Sequence, residues 1–556
     1  MKNLAKYLSV IIVLITFGCS DVIDLKSESN ISVDNFYTNY SDLQIGLTSC
    51  YKGMQAPLSE EWSMTELRSD NTTMDSGTST STVKHDLTYL DQFYPPATHQ
   101  GVYNYWLKTY NNIRNTNIVL NASGANYNES NGTIEYAPVT IPVTLAQCKS
   151  VAAEASFIRA YHYFNLVRLY GGVFLIHEPI TPEQAKTINR SSVNDIYKLI
   201  EADLINAKDN GSTSAYSANS SNLGHVNKWA AEALLAKVYL TLNRKAEASV
   251  LLQDVISNSG YSLQSNYGDV FSVNNEMNSE ILFAVRFKGG GLGMGNPLPN
   301  NFAPVNSGNA IINGDGDGYN SPALELIKTS SSYTSYIDPS SLSPAPSPIP
   351  LPQPTVDVIN KKRYNVNISS YQKGNASVIY FVNKFMSPTI VAYDSESDWP
   401  VLRFADVLLM KAEADGNVAT SLAFINQVRV RAGLTALTSI NVSTTANFEK
   451  ALATERRWEF AFENQRWFDI MRFTTTMSSI SPATDQFPGL KIQGAEYVMK
   501  KHLNNMWSKV YSGFTVLPIS LTQLLSNANP DRFLLPIPQY EIDTNSFITI
   551  PQNPSY

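Results

Sequence analysis

Cysteine and histidine are scarce in this chain, positive charge never clusters, and only one long apolar run occurs. There are three cysteines in 556 residues. Setting aside Cys19, which stands next to a candidate cleavage point, only Cys50 and Cys148 remain. These either pair, as thiols in an oxidising compartment do, or sit singly as small buried apolar residues on helices. The six histidines (His85, His99, His162, His177, His225 and His502) are scattered, and none has the spacing of a metal-binding set. Charged residues are 16% of the chain and the formal net charge is −7. A mildly acidic surface without a basic patch argues against nucleic acid as a partner, because phosphates need such a patch. It also gives the folded body no pull toward anionic lipid. Beyond residue 18 no apolar stretch approaches the length that crosses a bilayer.

The single apolar run is at the start. Lys2 and Lys6 precede the nearly unbroken apolar stretch Leu8–Phe17, and Gly18-Cys19-Ser20 follows. A basic start, a short apolar core and a small residue at the cut make residues 1–18 a secretory signal peptide, too short to persist as a membrane helix. Its removal takes away two lysines and moves the net charge from −7 to −9. A cysteine just past the cut resembles a bacterial lipobox, which implies acylation of Cys19. Thr16 and Phe17 stand where a leucine and a small residue are usual, and the plain alternative is a signal peptide with an incidental cysteine. Acyl chains would hold the chain on a membrane at roughly 0.8 kcal/mol per buried methylene.

With 43% hydrophobic residues the rest has ample material for a large core. Residues 19–33 read as a polar tether, and 34–556 as one domain. Its helical segments lie at about 34–56, 101–260 and 400–475, with a variable, loop-rich insertion at about 285–400. The helix expected over 152–170 has the broadest apolar face and stops at Gly171-Gly172, as a glycine past the last turn dictates. Lys228–Tyr239 and Lys245–Ile256 form a helical hairpin hinged near Asn243. Its Leu235, Ala236, Tyr239, Ala248 and Leu252 fall on the spacing of a tetratricopeptide repeat. Residues 402–432 look like a second, looser helical pair. Such pairs bury their apolar faces only by stacking, so a helical-repeat scaffold follows. Pro339–Pro354 is too rich in proline for helix or central strand and reads as an extended loop.

Six blocks in order carry a resemblance. They are NFYTNYSDLQIGLTSCYKGM at 35–54, the helix with Trp106, Tyr110, Ile113 and Asn117, AEASFIRAYHYFNLVRLYGGVFLI at 153–176, and VLRFADVLLMKAEADGNVATSLAFINQVRVRAGL at 401–434. The last two are ERRWEFAFENQRWFDIMRF at 455–473 and the closing LLPIPQYEI and PQNPSY. Together they resemble the SusD/RagB family of Bacteroidota outer-membrane lipoproteins. The resemblance implies a mainly α fold: a scaffold of tetratricopeptide-like helix pairs carrying a loop-rich, variable half. It implies a non-catalytic, lipid-anchored protein on the cell surface that captures oligosaccharides and delivers them to a SusC-like TonB-dependent outer-membrane transporter. A peptide-capturing member of the family is the first alternative, and a surface glycoside hydrolase the second.

The charged residues of the 455–473 block argue against that hydrolase. A catalytic carboxylate pair needs one proton held at an unusual pKa, whereas abundant arginines favour the ionised form. Glu455, Glu459, Glu463, Arg456, Arg457, Arg466 and Asp469 therefore read as a structural ion-pair network, and Trp458 and Trp467 as core aromatics. Sugars need flat aromatics for their apolar C–H faces and amides, carboxylates or guanidinium groups for their hydroxyls. Exposed loop aromatics beside such groups give the candidate ligand-binding residues Trp62, Arg68, Asp70, Asn71, Phe93, Tyr94, Tyr103, Trp106, Phe302 and Tyr319. Trp62 leads them because no apolar periodicity surrounds it. No cofactor is expected. Asn313, Asp315 and Asp317 mimic the opening of a calcium loop, but Leu324 stands where its closing glutamate belongs, so a plain turn is the favoured reading. The following Ser321-Pro322 looks like a helix start.

Overall fold

The computed structural model describes residues 36–74, 82–216, 222–327, 361–372, 379–482, 487–506 and 520–556. The signal peptide, Cys19, the tether and the proline-rich stretch 339–354 lie outside the described residues.

Helices α1 (Tyr40–Gly53) and α2 (Gln55–Met64) lead into the two-residue strand β1 (Thr72–Thr73). Helix α3 (Thr82–Asp91) and the long α4 (Gln100–Ala122) follow, then the hairpin β2 (Ala125–Asn128) and β3 (Thr133–Tyr136). Next come α5 (Leu145–Tyr170), α6 (Val193–Asn210) and the helical hairpin α7 (Lys228–Thr241) and α8 (Lys245–Asn258). Strand β4 (Ile281–Val285) pairs antiparallel with a distant strand, Trp399–Arg403. Between them lie β5 (Ser321–Pro322), α9 (Lys361–Asn367), β6 (Ile368–Tyr371) and β7 (Ile379–Val382), which makes Trp399–Arg403 β8. Helices α10 (Phe404–Asp415), α11 (Ala419–Arg431), α12 (Thr445–Glu459), α13 (Arg466–Thr476) and α14 (Ala495–Met506) complete the scaffold, and α15 (Gln539–Thr544) lies near the C-terminus.

The helices stack in sequence, α4 on α5, α5 on α6, α6 on α7, α7 on α8, then α8 on α10 and α10 on α11. Helix α5 is buried around most of its circumference, so it forms the centre of the stack. Thr144 and Gln147 close its N-terminus as a capping box, and Gly171 ends it at φ +74. The turn between α7 and α8 passes through Asn243 at φ +59, a left-handed position that asparagine tolerates. Cys50 and Cys148 are separate, buried free thiols. Ser321-Pro322 itself pairs antiparallel with Thr72-Thr73, which ties the 300–322 segment to the N-terminal part of the chain, and the short expected helix starts just after it, at Leu324–Ile327.

The arginine-rich block at 455–473 is the anchor of the second half. Glu280, Glu455, Glu459 and Glu463 meet Arg363, Lys384, Arg403 and Arg431, all buried. Glu459 accepts from Arg363 Nε at 2.8 Å, from Arg403 at 2.9 Å and from Arg431. Glu463 accepts from Arg403 at 2.8 Å and Lys384 at 2.6 Å. Glu280 bridges Arg403 and Arg431. Burial pushes the Glu459 carboxyl up, but the guanidinium groups of Arg431, Arg363 and Arg403 together hold it well below the usual carboxylate range. A second cluster joins Arg456 to Asp406 and Asp469, and Lys237 to Asp406.

Glu66 lies outside these clusters. It is buried, its carboxylate Oε1 accepts from Asn71 Nδ2 (2.9 Å) and the Phe462 amide (2.7 Å), and its Oε2 has no partner among the described residues. Burial pushes its carboxyl up to about 7.

Two outcomes follow. Glu459→Gln removes the negative charge that three buried guanidinium groups share and is expected to cost ~3–5 kcal/mol, measured by urea unfolding. Glu66 acts in the opposite sense. Its folded pKa lies above the unfolded one, so the wild type loses stability as pH rises between the two, from about 4.5 to about 7. The melting temperature of Glu66→Gln should therefore gain on that of the wild type between about pH 5 and about pH 8.

Candidate ligand-binding site

A cleft of about 390 Å³ opens between α2, α3, the start of α4 and the segment 297–319. Trp62 and Tyr319 are the large aromatic side chains of its lining. Trp62 lies on α2, with Tyr319 stacked on it (centroids 6.2 Å apart, 11° between planes) and Phe302 edge-on at 5.3 Å. Trp62 and Phe302 are buried and Tyr319 is half-buried, so Tyr319 is the ring of this trio that the cleft can offer to a ligand. Burial pushes the Tyr319 hydroxyl up to about 12, which keeps it a neutral donor. Asn104, Gln100 and Asn301 add amide groups to the lining, and Glu60 and Asp86 add carboxylates. Glu60 is engaged by Lys108 Nζ at 2.6 Å.

The opening of α4 is set by His99, which caps the helix. Its Nδ1 accepts from the Val102 amide, so Nε2 carries the proton and donates to the Asp86 carbonyl at 2.9 Å. That contact ties α3 to α4 across the cleft.

Asn300 organises the other side. Fully buried, it donates to the carbonyls of Asn313 (3.0 Å) and Asp315 (2.9 Å) and accepts from the Tyr393 amide (2.8 Å). The Asn301 carbonyl accepts from the Tyr319 amide at 2.8 Å and so sets that ring's position. Within the candidate calcium turn, Asp315 accepts from the amides of Asn306, Gly308 and Gly316. Asp317 accepts from the Tyr393 hydroxyl at 3.1 Å, and Asn313 Nδ2 donates to the Ile390 carbonyl. The three side chains thus already serve five protein groups, and a cation would have to displace those contacts. Among the described residues no group of three histidine, cysteine, aspartate or glutamate side chains is arranged to hold a metal.

The candidate residues therefore divide. Trp62, Phe302 and Tyr319, distant in sequence, are in contact. Trp62 itself is neither exposed nor in a loop: it sits on α2, and its indole N–H donates to the Ser59 carbonyl. Arg68, Asp70, Asn71, Phe93 and Trp106 are buried in the scaffold and cannot face a ligand. Arg68 lies over Trp467 at 4.3 Å and donates to the Phe533 carbonyl. Asp70 is forked by Arg466, and Asn71 accepts from Arg457. Phe93 stacks on Trp467, and Trp106 packs between Tyr170 and Phe174. Tyr94 is half-buried against Tyr89, and Tyr103 lies further along α4 against Tyr540.

Tyr393 escaped the sequence reading. It is 43% exposed, it holds φ +60, and its backbone and hydroxyl are both tied to the rim, by Asn300 and Asp317. A bulky residue in the left-handed region is strained, and such strain persists only where surrounding contacts impose it. Only its aromatic character, after the apolar Ile390-Val391, was available as a signal.

Comparison with known proteins agrees with this architecture. The profile of the SusD family matches residues 355–556, and that of the family described as starch-binding associating with outer membrane matches residues 21–240. A SusD-like protein of Formosa agariphila is 25% identical over 511 residues, covering 85% of this chain and 90% of its own. Among solved structures, a laminarin-binding SusD-like protein superposes with a TM-score of 0.65 at 23% identity, over 94% of this chain and 100% of that one. Surface glycan-binding protein A from Bacteroides thetaiotaomicron, solved in complex with laminarihexaose, gives 0.65 at 17% identity, over 93% and 100%. The helical-repeat scaffold is that of SusD-like proteins, and this chain belongs to the SusD/RagB family.

The strain at Tyr393 is measurable. Tyr393→Gly and Tyr393→Ala both remove the ring, but only glycine accepts the left-handed backbone freely. The glycine variant is expected to be the more stable by about 1 kcal/mol in denaturant unfolding.

Proposed function

We propose that this chain is a non-catalytic binding protein that captures an oligosaccharide in the Trp62–Tyr319 cleft and passes it to a TonB-dependent outer-membrane transporter. The observation that carries the reading is the Tyr319 ring, braced from behind by Trp62 and bordered by amides. A braced ring stacks on the apolar face of a sugar without losing rotamer freedom, and amides match hydroxyls as both donors and acceptors. The ligands of two structural neighbours, laminarin and laminarihexaose, make glucan oligosaccharides the first probes.

A binding role also fits the carboxylates. Glu60 is neutralised by Lys108, and the acidic residues of the 455–473 block are consumed in buried ion pairs. Attachment to the outer membrane, facing the cell surface, is part of the same proposal, with lipidated Cys19 as the anchor. It draws support from the description of the matching family.

Tyr319→Ala should weaken glucan-oligosaccharide binding about tenfold, or ~1.4 kcal/mol, in isothermal titration well below the variant's melting temperature. Trp62→Ala is a poor test, because loss of a buried tryptophan costs ~3–5 kcal/mol of stability. Unaltered affinity in the Tyr319 variant, or sugar products released by the purified protein, would sink the reading.

A further inference from the structure

We propose that the ligand path continues beyond the cleft onto an aromatic ledge formed by Tyr103 and Tyr540, so that this protein selects long oligosaccharides over short ones. The inference rests on the carbohydrate reading of the cleft and extends it.

The ledge begins where the cleft ends. Gln100 and Asn104 line the cleft and are joined by a 2.8 Å hydrogen bond one turn apart on α4. Positions 100, 103, 104 and 107 form a single stripe of a helix with 3.6 residues per turn. Tyr103 and Leu107 thus continue the same surface, over about 10 Å of helix. That length carries more than one sugar ring. Against Tyr103 lies Tyr540 of α15, its ring centroid 5.1 Å away and its plane tilted by 50°. Tyr540 is 59% exposed, although a ring of this size gains from burial wherever packing permits.

The C-terminal segment is fixed in place there. The Gln539 amide donates to the Ala97 carbonyl at 2.9 Å, just before α4 begins. Gln539 Nε2 in turn donates to Asp543 at 2.7 Å. Two rings are therefore flanked by two polar pairs, Gln100–Asn104 and Gln539–Asp543. That is the mixture of apolar faces and directional polar groups that pyranose rings require. The tilt makes the ledge bent, so it suits a chain that curves rather than a flat ribbon.

The experiment is a titration of the mature protein in detergent with laminari-oligosaccharides from disaccharide to hexasaccharide, and with a malto-oligosaccharide series beside it. In the wild type, affinity should rise about tenfold from the short to the long end of a series. Tyr540→Ala should flatten that rise while leaving the shortest binding oligosaccharide unchanged, and Tyr540→Phe should preserve it. Tyr319→Ala should lower affinity at every length. Equal binding of the hexasaccharide by Tyr540→Ala and wild type overturns the ledge while leaving the cleft intact. Failure of both series to bind the wild type overturns cleft and ledge together. Because the Tyr540 ring is exposed, its melting temperature should match the wild type, and a lowered one would assign the residue to the fold instead.

Discussion

The buried carboxylate of Glu459 is the constraint on which the second half of this molecule depends. Three guanidinium groups converge on it from α9, β8 and α11, while Glu463 and Glu280 hold two of the same cations and Lys384 from other directions. Isolated charges in such a place would be prohibitive, and any one pair would gain little over apolar packing. As a set the charges are balanced and directional. Each cation has one position that satisfies its partners, so segments with no shared apolar stripe are nonetheless held in fixed relation. Greasy packing alone tolerates repacking, whereas forked ionic contacts do not.

The cleft depends on this frame at one remove. Its outer wall is a run of turns rather than a helix, and turns need their backbone groups satisfied. Asn300 does this for three backbone groups in two segments at once, and the short β1–β5 pairing fastens the same run to the N-terminal helices. The aromatic surface therefore belongs to irregular backbone set on a rigid support, an arrangement in which the support can stay constant while the surface varies.

The scaffold was legible because it follows local rules. The stop at Gly171, the hinge at Asn243 and the repeat spacing of α7 and α8 are written in neighbouring residues. The ionic role of the 455–473 block was also readable, from the density of arginine. Its partners were not: Arg363 and Arg403 come from segments whose sequence says nothing of Glu459. The same distance misled the reading of Arg68, Asp70 and Asn71. Polar residues are ordinarily at the surface, and these are inside because their partners lie almost the whole chain away, Arg466 at a separation of 396 residues from Asp70. Trp62 looked like a loop residue because α2 has no clean apolar stripe; its burial comes from Phe302 and Tyr319. The strain at Tyr393 is a property of backbone angles, which composition does not reveal.

The pairing of Glu66 with Phe462, Asp70 with Arg466 and Arg68 with Phe533 has a temporal side. A ribosome makes the first member of each pair long before the second. Until then the residues after α2 have no destination, and their charges stay hydrated. The stack from α4 to α8 is built from contacts between neighbours in sequence, whereas residues 66–70 wait for partners at 462–533, until most of the chain has been synthesised. A truncated product lacking the last quarter would leave Arg68 and Asp70 without these counterparts beside apolar surface, a natural mark for proteolytic clearance.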